Sequence, residues 1–206
     1  MKTIIIGAGS DLGVHIDGAH LGSVQLLNDL QSFYKGESIS FIQDESIIKS
    51  RNLSDRSKNS YDIEKFNTNL YNTILGKINE EYFPITVGGD RSVSIASALA
   101  STKVHNDIGV IWFSGHTDYS TADTTVTGNI HSFALAAISN TKNQELRPFH
   151  QGNTIQTSKT VIVGARDIPN WEKDLIKYSG ITLLDPAVCS AILCNYSKFK
   201  EDLEKQ

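Results

Sequence analysis

An imidazole and a carboxylate stand two residues apart at His116 and Asp118, within Ser114-Gly115-His116-Thr117-Asp118. On an extended backbone, residues two apart share a face. The pair would then project together as a nitrogen and oxygen donor set of the kind that suits Mn2+ or a similar ion. The plain alternative is that Asp118 caps a turn and His116 is an ordinary satisfied polar residue. A second group, Gly88-Gly89-Asp90-Arg91-Ser92, sets a carboxylate beside a guanidinium.

Something must hold these groups in place, and the chain alternates short apolar runs with helix-length amphipathic stretches. Strands are expected over Thr3–Ile6, Ser38–Ile42, Phe83–Val87, Ile108–Phe113, Thr160–Val163 and Ile181–Leu184. Most are β-branched runs without polar alternation, as in parallel sheets covered on both faces. Helices are expected near Leu21–Tyr34, Tyr61–Asn79, Ser92–Ser101, Ile130–Ser139 and Asn170–Tyr178. This alternation predicts a three-layer α/β/α fold with a mainly parallel sheet, built as a single domain over residues 1–206. In such sheets chemistry gathers at the carboxyl ends of the strands. The Gly88–Ser92 and Ser114–Asp118 segments follow the third and fourth expected strands. Ser50–Asn59 and Thr141–Lys159 read as surface loops.

Composition narrows the function classes. The net charge of −4 is mild, and no basic block suggests nucleic acid or an anionic membrane surface. The short Ile run at the N-terminus is too brief for a signal peptide or a membrane span, so a cytoplasmic protein is expected. Cys189 and Cys194 fit free thiols better than a disulfide framework or a zinc site. Gly7-Ala8-Gly9 after the first strand superficially resembles a dinucleotide loop, but Val14-His15-Ile16-Asp17-Gly18 is a poor first turn for the helix that loop requires. Tyr61 and Lys65 mimic a dehydrogenase pair but lie too early in the chain.

Several stretches, read together, resemble the ureohydrolases, the arginase, agmatinase and formimidoylglutamase family. Val87-Gly88-Gly89-Asp90-Arg91-Ser92 resembles the family's G-G-D-H-S motif, and Trp112-Phe113-Ser114-Gly115-His116-Thr117-Asp118 its W-x-D-A-H-x-D motif. Thr124–His131 resembles the following segment that ends in S-G-N-x-H, and Gly164-Ala165-Arg166-Asp167 a later G-x-R-D turn. Gly18-Ala19-His20-Leu21-Gly22-Ser23 looks like the G-x-x-x-G-P element, with Ser for Pro. The matches run in order over nearly the whole chain.

The resemblance implies an arginase-like fold and a chemistry in which two Mn2+ ions share a hydroxide that attacks a guanidinium carbon and releases urea. It implies metal ligands at His116 and Asp118, a proton-shuttling role for His131, and contacts from Ser120, Thr127 and Asn129 to the amino-acid end of a guanidino or amidino compound. The same resemblance puts Arg91 where the family has a ligand His, and Ser114 where it has a bridging Asp. The later S-x-D-x-D motif is not found, and the chain is expected to lack the family's C-terminal part. Arg91 is a permanent cation where a cation would bind. Asp118 is its nearest expected partner, the alternative being that Arg91 points to solvent. The expectation is a catalytically silent binding homologue in which Mn2+ is weak or absent, forming a homo-oligomer. The rival readings are an amidinohydrolase with a rebuilt or mononuclear site, and a truncated gene product.

Overall fold

The computed structural model describes residues 2–33, 39–43, 54–139, 154–191 and 195–196. The chain divides into two compact units, one of residues 1–108 and 118–155, the other of residues 109–117 and 156–206.

The first unit is built on a parallel sheet of order β2-β1-β3, with β1 at Lys2–Gly9, β2 at Ile39–Gln43 and β3 at Tyr82–Gly88. As the central strand, β1 is buried almost continuously from Ile4 to Gly9, which is why its run Ile4-Ile5-Ile6 shows no polar alternation. Helix α1 (Ala19–Phe33) and helix α2 (Ser60–Asn79) lie between the strands in sequence. Helix α2 buries Ile63, Phe66, Leu70 and Ile74, a 3.6-residue stripe, and packs on α3 (Val93–Val104), which itself buries Ile95, Ala96 and Leu99. Asn67, fully buried between them, is satisfied on both sides. Its Nδ2 donates to Ile63 O at 3.1 Å, and its Oδ1 accepts from Ala96 N at 3.3 Å. The expected helix over Ile130–Ser139 is a 3-10 turn, Ile130–Phe133, followed by a short α4, Ala134–Ile138.

The second unit carries a parallel sheet of order β4-β5-β6, with β4 at Val110–Phe113, β5 at Thr160–Val163 and β6 at Thr182–Leu184. Helix α5 (Asn170–Ser179) crosses from β5 to β6 and ends on Gly180, whose φ of 84° is the left-handed cap that glycine adopts without strain.

Two loop expectations need adjusting. Ser50–Asn59 is not simply surface: from Ser54 on it is described, and Lys58 within it is buried. In Thr141–Lys159, residues 141–153 lie outside the described residues, whereas Ile155 pairs with Ser139 and Thr157–Lys159 forms a 3-10 turn. Cys189 is a free thiol, and Cys194 lies outside the described residues. Among the described residues no helix is long and apolar enough to cross a membrane.

Candidate functional site

In the first unit the glycines of the β3–α3 turn explain how the site is assembled. A Cβ on Gly89 would lie 1.9 Å from Ser10 O, so only glycine lets this turn approach the loop after β1. The approach is fixed by Gly89 N–H donating to Ala8 O at 3.0 Å and Asp90 N–H donating to Ser10 O at 2.9 Å. The carboxylate of Asp90 then takes Ser92 N–H at 2.7 Å, at the start of α3, and Gly13 N–H at 2.9 Å. Asp90 is 6% exposed, and these two charge-assisted bonds compensate its burial. The loop after β1 is ordered further by Asp11, whose Oδ2 accepts Gly18 N–H and His20 Nδ1–H, both at 2.8 Å.

Gly13 passes this constraint on to His131. Its carbonyl accepts both His131 N–H at 3.1 Å and His131 Nδ1–H at 2.8 Å. A carbonyl can only accept, so the proton sits on Nδ1, and Nε2 presents a lone pair. Burial pushes the His131 pKa down; the bond to Gly13 and the carboxylates of Asp90 and Asp118 oppose this, and the Arg91 cation assists it. His131 is therefore a neutral imidazole at pH 7.

Arg91 and Asp118 come together. Arg91 Nε lies 3.0 Å from Asp118 Oδ1, with the Asp118 side chain 1% exposed and the Arg91 side chain 37% exposed. Nε is buried yet makes no aligned hydrogen bond. The contact is thus a close ion pair rather than a directed bond, and the charge attraction is what it supplies. Asp118 sits at φ 52°, a left-handed conformation that Asp tolerates better than most residues. Its carbonyl accepts Leu135 N–H at 2.9 Å at the start of α4.

The remaining first-unit residues line one loop. Ser120 N–H donates to Ser132 O at 3.1 Å. Thr127 Oγ1 accepts Asn129 N–H at 3.2 Å, and Asn129 Nδ2 donates to His15 Nδ1 at 3.4 Å.

In the second unit Ser114 follows β4 and turns its hydroxyl back on the chain, where Oγ accepts His116 N–H at 3.1 Å. The carbonyl of Gly115 accepts Arg166 N–H at 3.0 Å and Asp167 N–H at 3.2 Å, so the turn after β5 closes over this one. His116 Nε2 stands 3.8 Å from Asp167 Oδ2, both side chains well exposed. The same-face expectation for His116 and Asp118 assumed extended backbone, whereas the strand ends at Phe113 and Asp118 is left-handed. The two residues fall in different compact units, each with its own charged neighbour. Among the described residues no group of three or more His, Cys, Asp or Glu gathers to hold a metal ion.

Sequence reasoning gave no role to Gly13, to Asp90 as the anchor of the turn, or to Lys58, which donates to Thr127 O at 2.7 Å. The G-G-D run signals Asp90, and nothing local signals that Gly13 is its partner. Nothing in the polar Ser50–Asn59 segment singles out Lys58.

The arginase family model matches residues 1–204. Arginase of Bacillus subtilis strain 168 is 29% identical over 191 residues, 87% of this chain and 63% of that protein. The crystal structure of arginase from Bacillus subtilis aligns with TM-score 0.76 and 27% identity over 93% of this chain and 66% of that one. Entamoeba histolytica arginase aligns with TM-score 0.81 over 100% of this chain and 72% of that one; its 22% identity bears on the fold alone. The chain therefore spans roughly two thirds of these relatives, and they assign it the three-layer α/β/α arginase fold class with parallel sheets and flanking helices.

Proposed function

This chain belongs to the arginase family of hydrolases, and on that premise we propose that it is a metal-free, non-hydrolysing member that retains a small-molecule site on the Ser120–His131 loop. The observation that carries the reading is the ion pair between Arg91 and the buried carboxylate of Asp118. A guanidinium cannot be deprotonated at physiological pH. Unit charges 4 Å apart interact by about 4 kcal/mol at an effective dielectric of 20, so a divalent ion that close to Arg91 would be opposed by about 8 kcal/mol. The residues present do not fit the family's binuclear Mn2+ cluster. Asp118 already has a cation, Ser114 Oγ is a neutral acceptor engaged with His116 N–H, and no multidentate acidic or imidazole group forms among the described residues.

The retained site rests on Ser120, Thr127, Asn129 and the neutral His131. Their hydroxyl, amide and imidazole groups can hold the amino-acid end of a guanidino or amidino compound without a metal. Amino acids such as arginine and ornithine, with a zwitterionic end for these polar groups, are the natural probes.

The test pairs elemental analysis, after Mn2+ loading and dialysis, with a urea-release assay on arginine, agmatine and guanidinobutyrate. No retained Mn2+ and no urea are expected. Stoichiometric Mn2+, or urea from any of the three, overturns the reading. The double variant Arg91→His, Ser114→Asp should retain at most one weakly held ion and little turnover.

A further inference from the structure

The segment from Asp55 to Asn59 lies directly against the Thr125–Asn129 loop. Lys58 N–H donates to Gly128 O at 3.0 Å, and Arg56 Nη1 donates to Thr125 O at 3.2 Å. Asn59 Nδ2 donates to Leu12 O at 2.8 Å, which ties the same segment to the loop after β1. Gly128, at φ 71°, has Asp55 O 2.0 Å from where a Cβ would stand, so the two stretches of backbone touch.

Lys58 is the unexpected member of this contact. It is 8% exposed, and its Nζ donates to the carbonyl of Thr127 at 2.7 Å. An ammonium carries more donors than that neutral carbonyl can match. Among the described residues it has no carboxylate partner. Asp55, its nearest acid in sequence, turns its Oδ1 to Ser57 N–H at 2.9 Å instead. Buried charges are ordinarily paired, because removing an ammonium from water is costly unless a counter-charge is supplied. Arg56, the neighbouring cation, is engaged with backbone carbonyls.

We propose that Lys58 is the counter-ion for the carboxylate of a small ligand bound on the Thr127–Asn129 loop. A lone ammonium with spare donors matches a singly charged carboxylate, whereas a dianionic phosphate would require further free cations. Lys58 is thereby a specificity-determining residue: it distinguishes an amino acid from the corresponding amine. The inference rests on the reading that this loop binds a small amino-acid-like molecule.

The experiment is calorimetric titration of the full chain with two matched pairs, L-ornithine against putrescine and L-arginine against agmatine. Within each pair the main change is the carboxylate. Wild type should bind the carboxylate-bearing member about tenfold or more tightly, the size of a hydrogen bond to a charged group. Lys58→Gln, which can still donate to Thr127 O but carries no charge, should abolish the preference within each pair. Lys58→Arg should restore it. Equal binding within both pairs overturns the role of Lys58 and leaves the loop reading standing. A preference that survives in Lys58→Gln assigns the carboxylate elsewhere and also overturns it. Failure of every probe to bind removes both readings. Should Lys58→Gln not fold, the wild-type preference and its retention in Lys58→Arg still decide the question.

Discussion

The two halves of the Arg91–Asp118 pair should not be equally costly to remove. The Asp118 side chain is 1% exposed, so a carboxylate left there without the guanidinium has no route to bulk water. Breaking a buried pair from the cationic side typically costs about 3–5 kcal/mol. The Arg91 side chain is 37% exposed, so when Asp118 is lost the guanidinium can re-solvate, and the loss falls toward the about 1 kcal/mol of a surface pair. Asp118→Asn is also gentle on the backbone, because Asn accepts the φ of 52° as readily as Asp. Arg91→Met should therefore destabilise several-fold more than Asp118→Asn.

The measurement is urea unfolding at pH 7 of wild type, both single variants and the double variant. With a slope of about 2 kcal/mol per molar urea, Arg91→Met should lower the midpoint by about 1.5–2.5 M and Asp118→Asn by about 0.5 M. The double variant should cost little more than Asp118→Asn alone, giving a coupling energy of about 2 kcal/mol or more. Equal losses for the two single variants, or coupling below about 0.5 kcal/mol, would refute the claim that Arg91 neutralises a buried carboxylate.

Three further outcomes follow from individual residues. Burial lowers the folded-state pKa of His131 below the ordinary imidazole value, so its contribution to stability is present above about pH 6.5 and is lost as pH falls through the folded value. Unfolding free energy should drop between pH 7 and pH 5, and His131→Gln should flatten that slope; an unchanged slope removes the linkage. Gly128→Ala meets Asp55 O and adopts a left-handed φ, and should cost on the order of 3 kcal/mol in denaturation, against near neutrality if the Asp55–Asn59 segment is not seated there. Ile111 and Phe113, alternate residues of β4, are 66% and 77% exposed. Sedimentation should show concentration-dependent self-association weakened by Ile111→Lys, and a monomer at every concentration argues against it.

The strands were easy to read because their signal is local. Thr160–Val163 appears as β5 to the residue, and the Ile run opening the chain is the buried centre of its sheet. Boundaries slipped where side chains, not periodicity, set them. The stretch Ile130–Ser139 looks like one amphipathic helix, yet Ser132 donates its hydroxyl back to Asn129 O at 2.8 Å, and the first turn stays 3-10. Arg91 and Asp118 could be named as partners only because both fall on recognisable motifs. Lys58 could not be found at all. Its burial depends on hydrogen bonds to Thr127 and Gly128, far along the chain, and a polar decapeptide gives no local sign of them.

The bonds that hold the site bear on the proposed metal-free reading. Asp90 is held by the N–H groups of Ser92 and Gly13, and His131 by the carbonyl of Gly13. Each of these bonds joins a side chain to a backbone group, so the fold of the turns itself orients the carboxylate and the imidazole. Asp118 is different, because its buried carboxylate needs a positive charge nearby. A guanidinium supplies that charge permanently and without loading, and with its side chain 37% exposed it does so without the full desolvation cost of a buried cation. An aliphatic residue at position 91 would leave the same carboxylate buried without that cation. Arg91 thus supplies the charge that Asp118 needs, and on the proposed metal-free reading stability should be independent of metal. A chain carrying Arg91 should remain folded with chelator present, with no shift in its unfolding midpoint between EDTA and added Mn2+. A midpoint that rises with Mn2+ would mean that the ion binds the folded state after all.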